Sequence, residues 1–92
     1  LKNVKTGEET QLPVDGMFVF VGYEPQNSFL PAGLELDPQG FIITDCEMRT
    51  NLPGLFAAGD IRSKMCRQVT TAVGDGATAA TAAFTYLEQL DA

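Results

Sequence analysis

The sequence predicts an α/β fold in which short β-strands precede one long C-terminal α-helix. Two patterns support this prediction. Residues 17–21 (MFVFV) and 55–58 (LFAA) are continuous apolar runs, which are typical of strands buried on both faces. From Arg67 to about residue 90, apolar and small residues recur at spacings of three and four, as on one face of a helix. This predicted helix face consists of Val69, Val73, Gly76, Ala80, Phe84, Leu87 and Leu90.

Composition and charge narrow the classes of function. The chain has 92 residues and a formal net charge of −6 at pH 7, with no basic stripe, so nucleic acid and anionic lipid are poor partners. No apolar run is long enough to span a membrane. Cys46 and Cys66 form no C-x-x-C motif and the chain has no His, so we expect no metal site. We expect both thiols to be reduced, as in the cytoplasm.

Turn residues divide the chain before the helix into short segments. Residues 1–12 are predicted to form a hairpin, residues 17–21 a central strand and residues 41–44 another short strand. Residues 45–52 are predicted to be irregular. Residues 52–55 (LPGL) place Pro and then Gly at the two central positions of a turn, which predicts a type II turn.

Residues 74–79 (GDGATA) match the G-x-G-x-x-A pattern of dinucleotide-binding loops. Such a loop needs a following strand that carries an acid about 20 residues further on, and the sequence after the match is helical in pattern instead. We therefore interpret Gly74 and Gly76 as glycines within a long helix that lies close to a sheet or a cofactor. Each of them costs about 1 kcal/mol relative to Ala in a helix.

Asp60 is the first candidate binding residue, because it follows Gly59 at the end of an apolar strand, where open α/β sheets place their ligands. A carboxylate repels phosphate but accepts hydrogen bonds from the hydroxyls of a sugar or polyol. Asp60 therefore suits a polyol. The alternative interpretation is that Asp60 is only a turn residue or a cap for the segment that follows.

The predicted start of the helix, Arg67-Gln68-Val69, is the second candidate. Its unpaired N–H groups and partial positive charge favour an anionic or electron-rich carbonyl group. A reduced flavin develops negative charge at its N1 and C2-carbonyl edge and suits such a position. The alternative interpretation is that Arg67 extends along the surface and Gln68 only caps the helix.

Residues 50–60 (TNLPGLFAAGD), followed by Arg67-Gln68-Val69 and by the glycines at 74 and 76, resemble the second flavin motif of low-molecular-weight thioredoxin reductases. Residues 14–27 (VDGMFVFVGYEPQN) resemble the segment in which these enzymes return from the nucleotide domain to the flavin domain. The resemblance implies part of a three-layer FAD/NAD(P)-binding, Rossmann-like domain. In it, residues 1–12 are the terminal hairpin of the nucleotide-binding domain and residues 13–92 the C-terminal half of the FAD-binding domain.

The same resemblance implies an FAD-dependent, NADPH-using disulfide reductase that acts on thioredoxin or a related protein and forms a homodimer. The implied FAD-binding residues are Gly59, Asp60, Ile61, Arg67, Gln68 and Val69. No catalytic residue is implied in this chain, which contains no C-x-x-C and no NADPH loop, so we expect the chain alone to be inactive. Val69 stands where the family often has Ala, and Asp75 adds a negative charge within the helix.

Two alternatives remain open at this point. The chain could be the same segment of a related flavoenzyme, a ferredoxin–NADP reductase or a peroxiredoxin reductase. It could also be a non-catalytic fragment whose apolar helix and unpaired strands drive self-association.

Overall fold

A computed structural model describes residues 1–91, and the one helix among them is α1, Val69–Leu90. Its 22 residues give a length of about 33 Å. Gln68 is the N-cap residue, with an extended backbone (φ −139°, ψ 159°). The helix predicted from the apolar spacing is confirmed, although it begins at Val69 rather than at Arg67.

The N-terminal hairpin is also confirmed. Lys2 and Glu9 form an antiparallel β-bridge, and the N–H of Asn3 donates to the carbonyl of Glu8 at 2.9 Å. Gly7 has φ 76°, a value that favours glycine, and its N–H donates to the carbonyl of Asn3 at 2.7 Å. Every residue from 1 to 24 is exposed, so the hairpin does not pack against the rest of the chain.

The prediction of a buried central strand at residues 17–21 is wrong for this chain. Within residues 1–91, none of these residues forms a β-bridge, and Phe18 and Phe20 are 87% and 89% exposed. The rings of Phe18 and Phe20 stack on each other with centroids 6.4 Å apart. A strand needs hydrogen-bonding neighbours along its edges and packed layers over its faces, and the described residues supply neither here.

The two other predicted strands are reduced to single bridges. Ile42, in the segment 41–44, forms an antiparallel bridge with Leu36 and a parallel bridge with Arg62. Phe56, in the segment 55–58, forms an antiparallel bridge with Arg49. Part of the segment predicted to be irregular therefore forms one arm of a short hairpin, residues 45–57.

The predicted turn at residues 52–55 joins the arms of that hairpin. The N–H of Leu55 donates to the carbonyl of Leu52 at 3.1 Å, and Gly54 has φ 83°. A positive φ at the third turn position is what a type II turn requires, so the prediction is confirmed. A Cβ added at Gly54 would lie 3.5 Å from the ring of Tyr86 in α1, which shows that the turn lies against the helix.

The helix packs through a different face from the predicted one. The predicted face stays exposed, since Val69 is 81% exposed and Phe84 63% exposed. Ala82, on the opposite face, is buried and only 7% exposed. The residues on the packed face are buried or half-buried and comprise three alanines, one acid and one tyrosine: Ala72, Asp75, Ala79, Ala82 and Tyr86. Small side chains let the helix lie close to the hairpin, and the larger apolar face has no partner among residues 1–91.

The core is correspondingly small. Its buried apolar residues are Phe41, Ile42, Met48, Ala57 and Ala82. The radius of gyration is 19.6 Å, against about 12 Å for a compact domain of this length, and the chain measures 69 × 28 × 20 Å. The extended N-terminal region accounts for this shape, because residues 1 to 24 lie outside the core.

Candidate functional site

The residues that connect the 45–57 hairpin to α1 form a loop, residues 59–67, which we call the site loop. Gly59 at its start is buried and has φ 86°. A Cβ there would meet Ala72 at an ordinary 3.7 Å, so the backbone conformation, rather than space, favours glycine. The N–H of Arg62 donates to the carbonyl of Gly59 at 3.1 Å, and Asp60 lies exposed within this turn.

Ile42 holds the middle of the site loop from the core side. Its N–H donates to the carbonyl of Ile61 at 2.9 Å, and its carbonyl accepts from the N–H of Ser63 at 2.7 Å. Ser63 also hydrogen-bonds Asp37, and that contact lowers the pKa of Asp37, with partial desolvation opposing it and backbone N–H groups adding to it. The loop is thus tied to the residues 37–42 by backbone and side-chain bonds.

Arg67 closes the site loop on itself. Its Nε donates to the carbonyl of Asp60 at 2.9 Å and its Nη2 to the carbonyl of Arg62 at 2.9 Å. The guanidinium lies over the ring of Phe41, 3.6 Å from its centroid, in a cation–π contact. The side chain of Arg67 therefore shapes the loop, in addition to lining the surface described next.

The start of α1 leaves backbone donors free. The N–H of Gln68 donates to Oγ1 of Thr71 at 3.1 Å, and the first N–H bonded within the helix is that of Ala72, which donates to the carbonyl of Gln68. Within residues 1–91, the N–H groups of Val69 and Thr70 have no acceptor. These two donors and the helix dipole make the start of α1 a position for an electron-rich acceptor.

Asp60 and the start of α1 line one open hollow of about 460 Å³. Its lining residues are Asp60, Arg67, Gln68, Val69, Ala72 and Val73. A second hollow of about 310 Å³ shares Asp60 and Arg67 with the first, and adds Ile61, Phe41, Phe29 and the segment 23–26. Asp60 and Val69, the first residue of α1, therefore line a common space.

Five of the six predicted site residues line one or both of these hollows. Four of them, Asp60, Arg67, Gln68 and Val69, line the first hollow, and Ile61 lines the second. Gly59 lines neither hollow and is buried. The alternative interpretations are also partly realised, since Gln68 is the N-cap of α1 and Arg67 bonds to the loop.

Sequence reasoning missed a cluster directly behind the site loop. One oxygen of Asp75, Oδ2, accepts from Nη1 of Arg62 at 2.7 Å, from Nζ of Lys64 at 2.8 Å and from the N–H of Gly59 at 3.0 Å. Partial burial acts to raise the pKa of Asp75, but the bonds from Lys64, Arg62 and Gly59 outweigh it and lower the pKa to about 2. The signal in the sequence was a carboxylate in register with Ala72 and Ala79 on the packed helix face.

Two further observations concern the described residues only. Among residues 1–91, no three His, Cys, Asp or Glu side chains are grouped so that they could hold a metal ion. No helix in this part of the chain is long and apolar enough to cross a membrane.

Comparison with known proteins identifies the protein family to which the chain belongs. Residues 1–76 match the sequence family described as pyridine nucleotide-disulphide oxidoreductase. The chain belongs to this family of oxidoreductases.

Individual relatives narrow the comparison to thioredoxin reductases. The thioredoxin reductase of Treponema pallidum is 52% identical over 90 residues, and that of Listeria innocua is 53% identical over 85 residues. These alignments cover 98% and 91% of this chain but 29% and 26% of the relatives. A 34.2 kDa protein in the rubredoxin operon of Clostridium pasteurianum is 48% identical over 87 residues, with 95% of this chain and 28% of that protein covered.

Solved structures similar to this chain are also thioredoxin reductases. The thioredoxin reductase of Streptococcus pyogenes superposes with a TM-score of 0.79 at 48% identity, and that of Lactococcus lactis with a TM-score of 0.75 at 52% identity. Each comparison covers 96% of this chain and 29% of the other. The predicted resemblance to thioredoxin reductases is confirmed, the chain is a segment of such a flavoprotein, and the alternatives are not favoured. The α/β class is consistent with these neighbours.

Proposed function

We propose that this chain supplies the ribityl- and isoalloxazine-binding side of the FAD site in an NADPH-dependent disulfide oxidoreductase of the thioredoxin reductase type. The observation that carries the proposal is the shared hollow, which is lined both by Asp60 and by Val69 at the start of α1. The proposed FAD contacts are Gly59, Asp60, Ile61, Arg67, Gln68 and Val69.

The chemistry of these groups fits the two parts of a flavin that need recognition. The ribityl chain carries hydroxyl donors, and the exposed Asp60 carboxylate is an acceptor. The pyrimidine edge of the flavin carries carbonyl acceptors, and the N–H groups of Val69 and Thr70 are donors without a protein acceptor among residues 1–91. A carboxylate in the hollow also disfavours a phosphate there, so we place the pyrophosphate of FAD elsewhere in the longer protein.

When bound, the flavin supplies two-electron transfer between a nicotinamide and a disulfide. The residues of this chain contribute binding and orientation. Asp60 orients the polyol, and the start of α1 stabilises negative charge at the flavin edge through its free N–H groups and dipole. Arg67 keeps the carbonyls of Asp60 and Arg62 turned toward its guanidinium, so it maintains the shape of the loop.

The wider assignment rests on the same relatives. We propose that residues 1–12 are the terminal hairpin of the nucleotide-binding domain and residues 13–92 the C-terminal half of a three-layer FAD-binding domain. NADPH is then bound by other parts of the protein, thioredoxin or a related disulfide protein is the substrate, and the protein forms a homodimer. The free, exposed thiols of Cys46 and Cys66 suit the reducing cytoplasm.

The test uses the longer protein that contains this chain. Asp60→Ala removes the acceptor for the ribityl hydroxyls and should weaken FAD binding by roughly 1–3 kcal/mol, the cost of unpaired polar groups. The measurement is the Kd for FAD, obtained by adding FAD to the flavin-free protein and following the quenching of flavin fluorescence.

Glu88→Ala is the matched control, because Glu88 is an exposed acid of α1 far along the helix from the hollow. It should leave the Kd unchanged. The proposal fails if the unsubstituted protein binds no FAD, or if Asp60→Ala retains FAD as tightly as Glu88→Ala does.

A further inference from the structure

We propose that Asp75 is a positioning residue for the flavin site, which it serves by holding the site loop against α1. This inference rests on the proposed function, because it concerns the geometry of the same hollow. Asp75 lies outside the lining of that hollow, and nothing in its sequence context required it to act on the cofactor site.

The contacts of Asp75 join the helix to two parts of the loop. Its Oδ2 accepts from the backbone N–H of Gly59 at the start of the loop, and from the side chains of Arg62 and Lys64 in the middle. The side chains are only 13% exposed for Asp75, 12% for Arg62 and 10% for Lys64. Charge-assisted bonds in such a sheltered place are stronger than pairs on an open surface.

The bond from Asp75 to Gly59 restricts the position of Asp60, the next residue. Glycine can adopt many backbone conformations, and Gly59 has φ 86°. Because the N–H of Gly59 is held by Asp75, the backbone that leads into Asp60 is less free to move. The opposite side of the loop is held by Arg67, which donates to the carbonyl of Asp60. Asp60 is therefore held on both its N-terminal and its C-terminal side.

The charge of Asp75 also keeps the two cations together. Arg62 and Lys64 both donate to the same oxygen, so their positive charges lie close to each other. Without the carboxylate these charges would repel, and the guanidinium of Arg62 would keep one hydrogen bond, from Nε to Oγ1 of Thr44 at 2.7 Å. Loss of the Asp75 charge should therefore loosen the loop that carries Asp60.

The decisive variant is Asp75→Asn in the longer protein, since Asn keeps the shape and removes the charge. We expect the Kd for FAD to rise roughly 10- to 100-fold, the range for a lost hydrogen bond to a charged group. The visible absorption band of bound flavin should shift, and the amide of Gly59 should exchange its hydrogen faster in the flavin-free protein. A residue that only stabilises the fold would leave the absorption band of the folded, FAD-saturated variant unchanged.

Glu88→Gln is the matched control, because it removes an exposed acid from the same helix. Glu88→Gln should change neither the Kd for FAD, the absorption band of the bound flavin nor the hydrogen exchange rate of the Gly59 amide. Lys64→Gln is a milder second variant that keeps the carboxylate and should raise the Kd roughly 2- to 5-fold, even if Asp75→Asn does not fold.

The outcomes separate this inference from the proposed function. In one outcome, Asp60→Ala weakens FAD binding, but Asp75→Asn and Lys64→Gln change neither the Kd for FAD, the flavin absorption band nor the exchange rate of the Gly59 amide. The positioning role of Asp75 is then wrong, while the proposed FAD site is supported. If Glu88→Gln weakens FAD binding as much as Asp75→Asn does, the effect is a general loss of charge and the inference fails. If the unsubstituted protein binds no FAD, the proposed function fails; faster exchange at Gly59 in Asp75→Asn would still show that Asp75 holds the loop.

Discussion

At the scale of single residues, two charged side chains of opposite sign fix the site loop. Asp75 accepts hydrogen bonds from the loop, and Arg67 donates hydrogen bonds to its carbonyls. The contact through Asp75 depends on the charge of a carboxylate, and that charge is lost in strong acid. Acid should therefore release the loop from α1 at Asp75.

The stability of the chain should fall in acid through Asp75. Its pKa in the folded chain is about 2, below the usual 3.8, so the charged form stabilises the fold fully above about pH 4. This contribution is lost as the pH falls from about 4 through 2. Urea denaturation at a series of pH values should show the free energy of unfolding of the unsubstituted chain converging on that of Asp75→Asn.

Asp37 provides the internal comparison for that experiment. Its pKa is also lowered, chiefly by the hydrogen bond from Ser63, so both forms of the chain keep this second acid-sensitive contribution. Asp75→Asn should therefore show a shallower loss of stability in acid without becoming independent of pH. Equal slopes for the two chains would contradict the role assigned to the Asp75 charge.

At the scale of elements, α1 presents two different faces. Its packed face carries small residues, Asp75 and Tyr86, and the ring of Tyr86 meets that of Phe56 edge to face with centroids 6.2 Å apart. Its other face carries larger apolar side chains such as Phe84 and Leu87 and is exposed. The spacing of three and four residues is the same on both faces, so periodicity alone cannot rank them.

Gly76 allows the exposed face to be tested. Apart from the adjoining backbone of α1, no heavy atom of the described residues lies within 4 Å of a Cβ added at Gly76, so Gly76→Ala should stabilise the 92-residue chain by about 1 kcal/mol through helix propensity. The measurement is the free energy of unfolding in urea.

Gly54→Ala is the control for this substitution. Gly54 has φ 83°, so Ala there is strained and should destabilise the chain by about 1 kcal/mol or more. A loss of stability with Gly76→Ala would mean that this face of α1 is covered in solution, contrary to the structure.

At the scale of the whole molecule, the chain has more apolar surface than its small core can bury. The exposed apolar residues of the segment 17–21 and of the outer face of α1 lie in a chain that spans 26–29% of the length of the thioredoxin reductases it matches. Large exposed apolar patches mark surfaces that normally contact other protein. We expect the remaining parts of a longer protein of this family to cover them.

The isolated 92-residue chain should therefore self-associate. It should not reduce disulfides, because it contains no C-x-x-C motif. Light scattering coupled to size exclusion should show a mass that rises with concentration, and Phe18→Ser with Phe20→Ser should lower it, because this segment is the most exposed apolar run. Val4→Ser, at another exposed apolar residue, is the control and should change little. A monomer at every concentration would contradict this expectation.

Local patterns predicted the local features well. The helix, the type II turn and the N-terminal hairpin each depend on a few neighbouring residues, and each is confirmed. The loop residues from Gly59 to Val69 were also found from the sequence, because a glycine–acid pair after an apolar run and the start of a long helix are local signals. Their binding of FAD remains a prediction.

The sequence by itself determined the family, the helix and the position of the site loop, since motif identity and backbone preference are properties of contiguous residues. Only the tertiary structure decided that residues 17–21 stay unpaired, which face of α1 packs, and that Asp75 holds Gly59, Arg62 and Lys64. These outcomes depend on contacts between residues distant in the chain. An apolar run becomes a buried strand, and a helical acid becomes a support for a loop, only where the fold brings a partner within bonding distance.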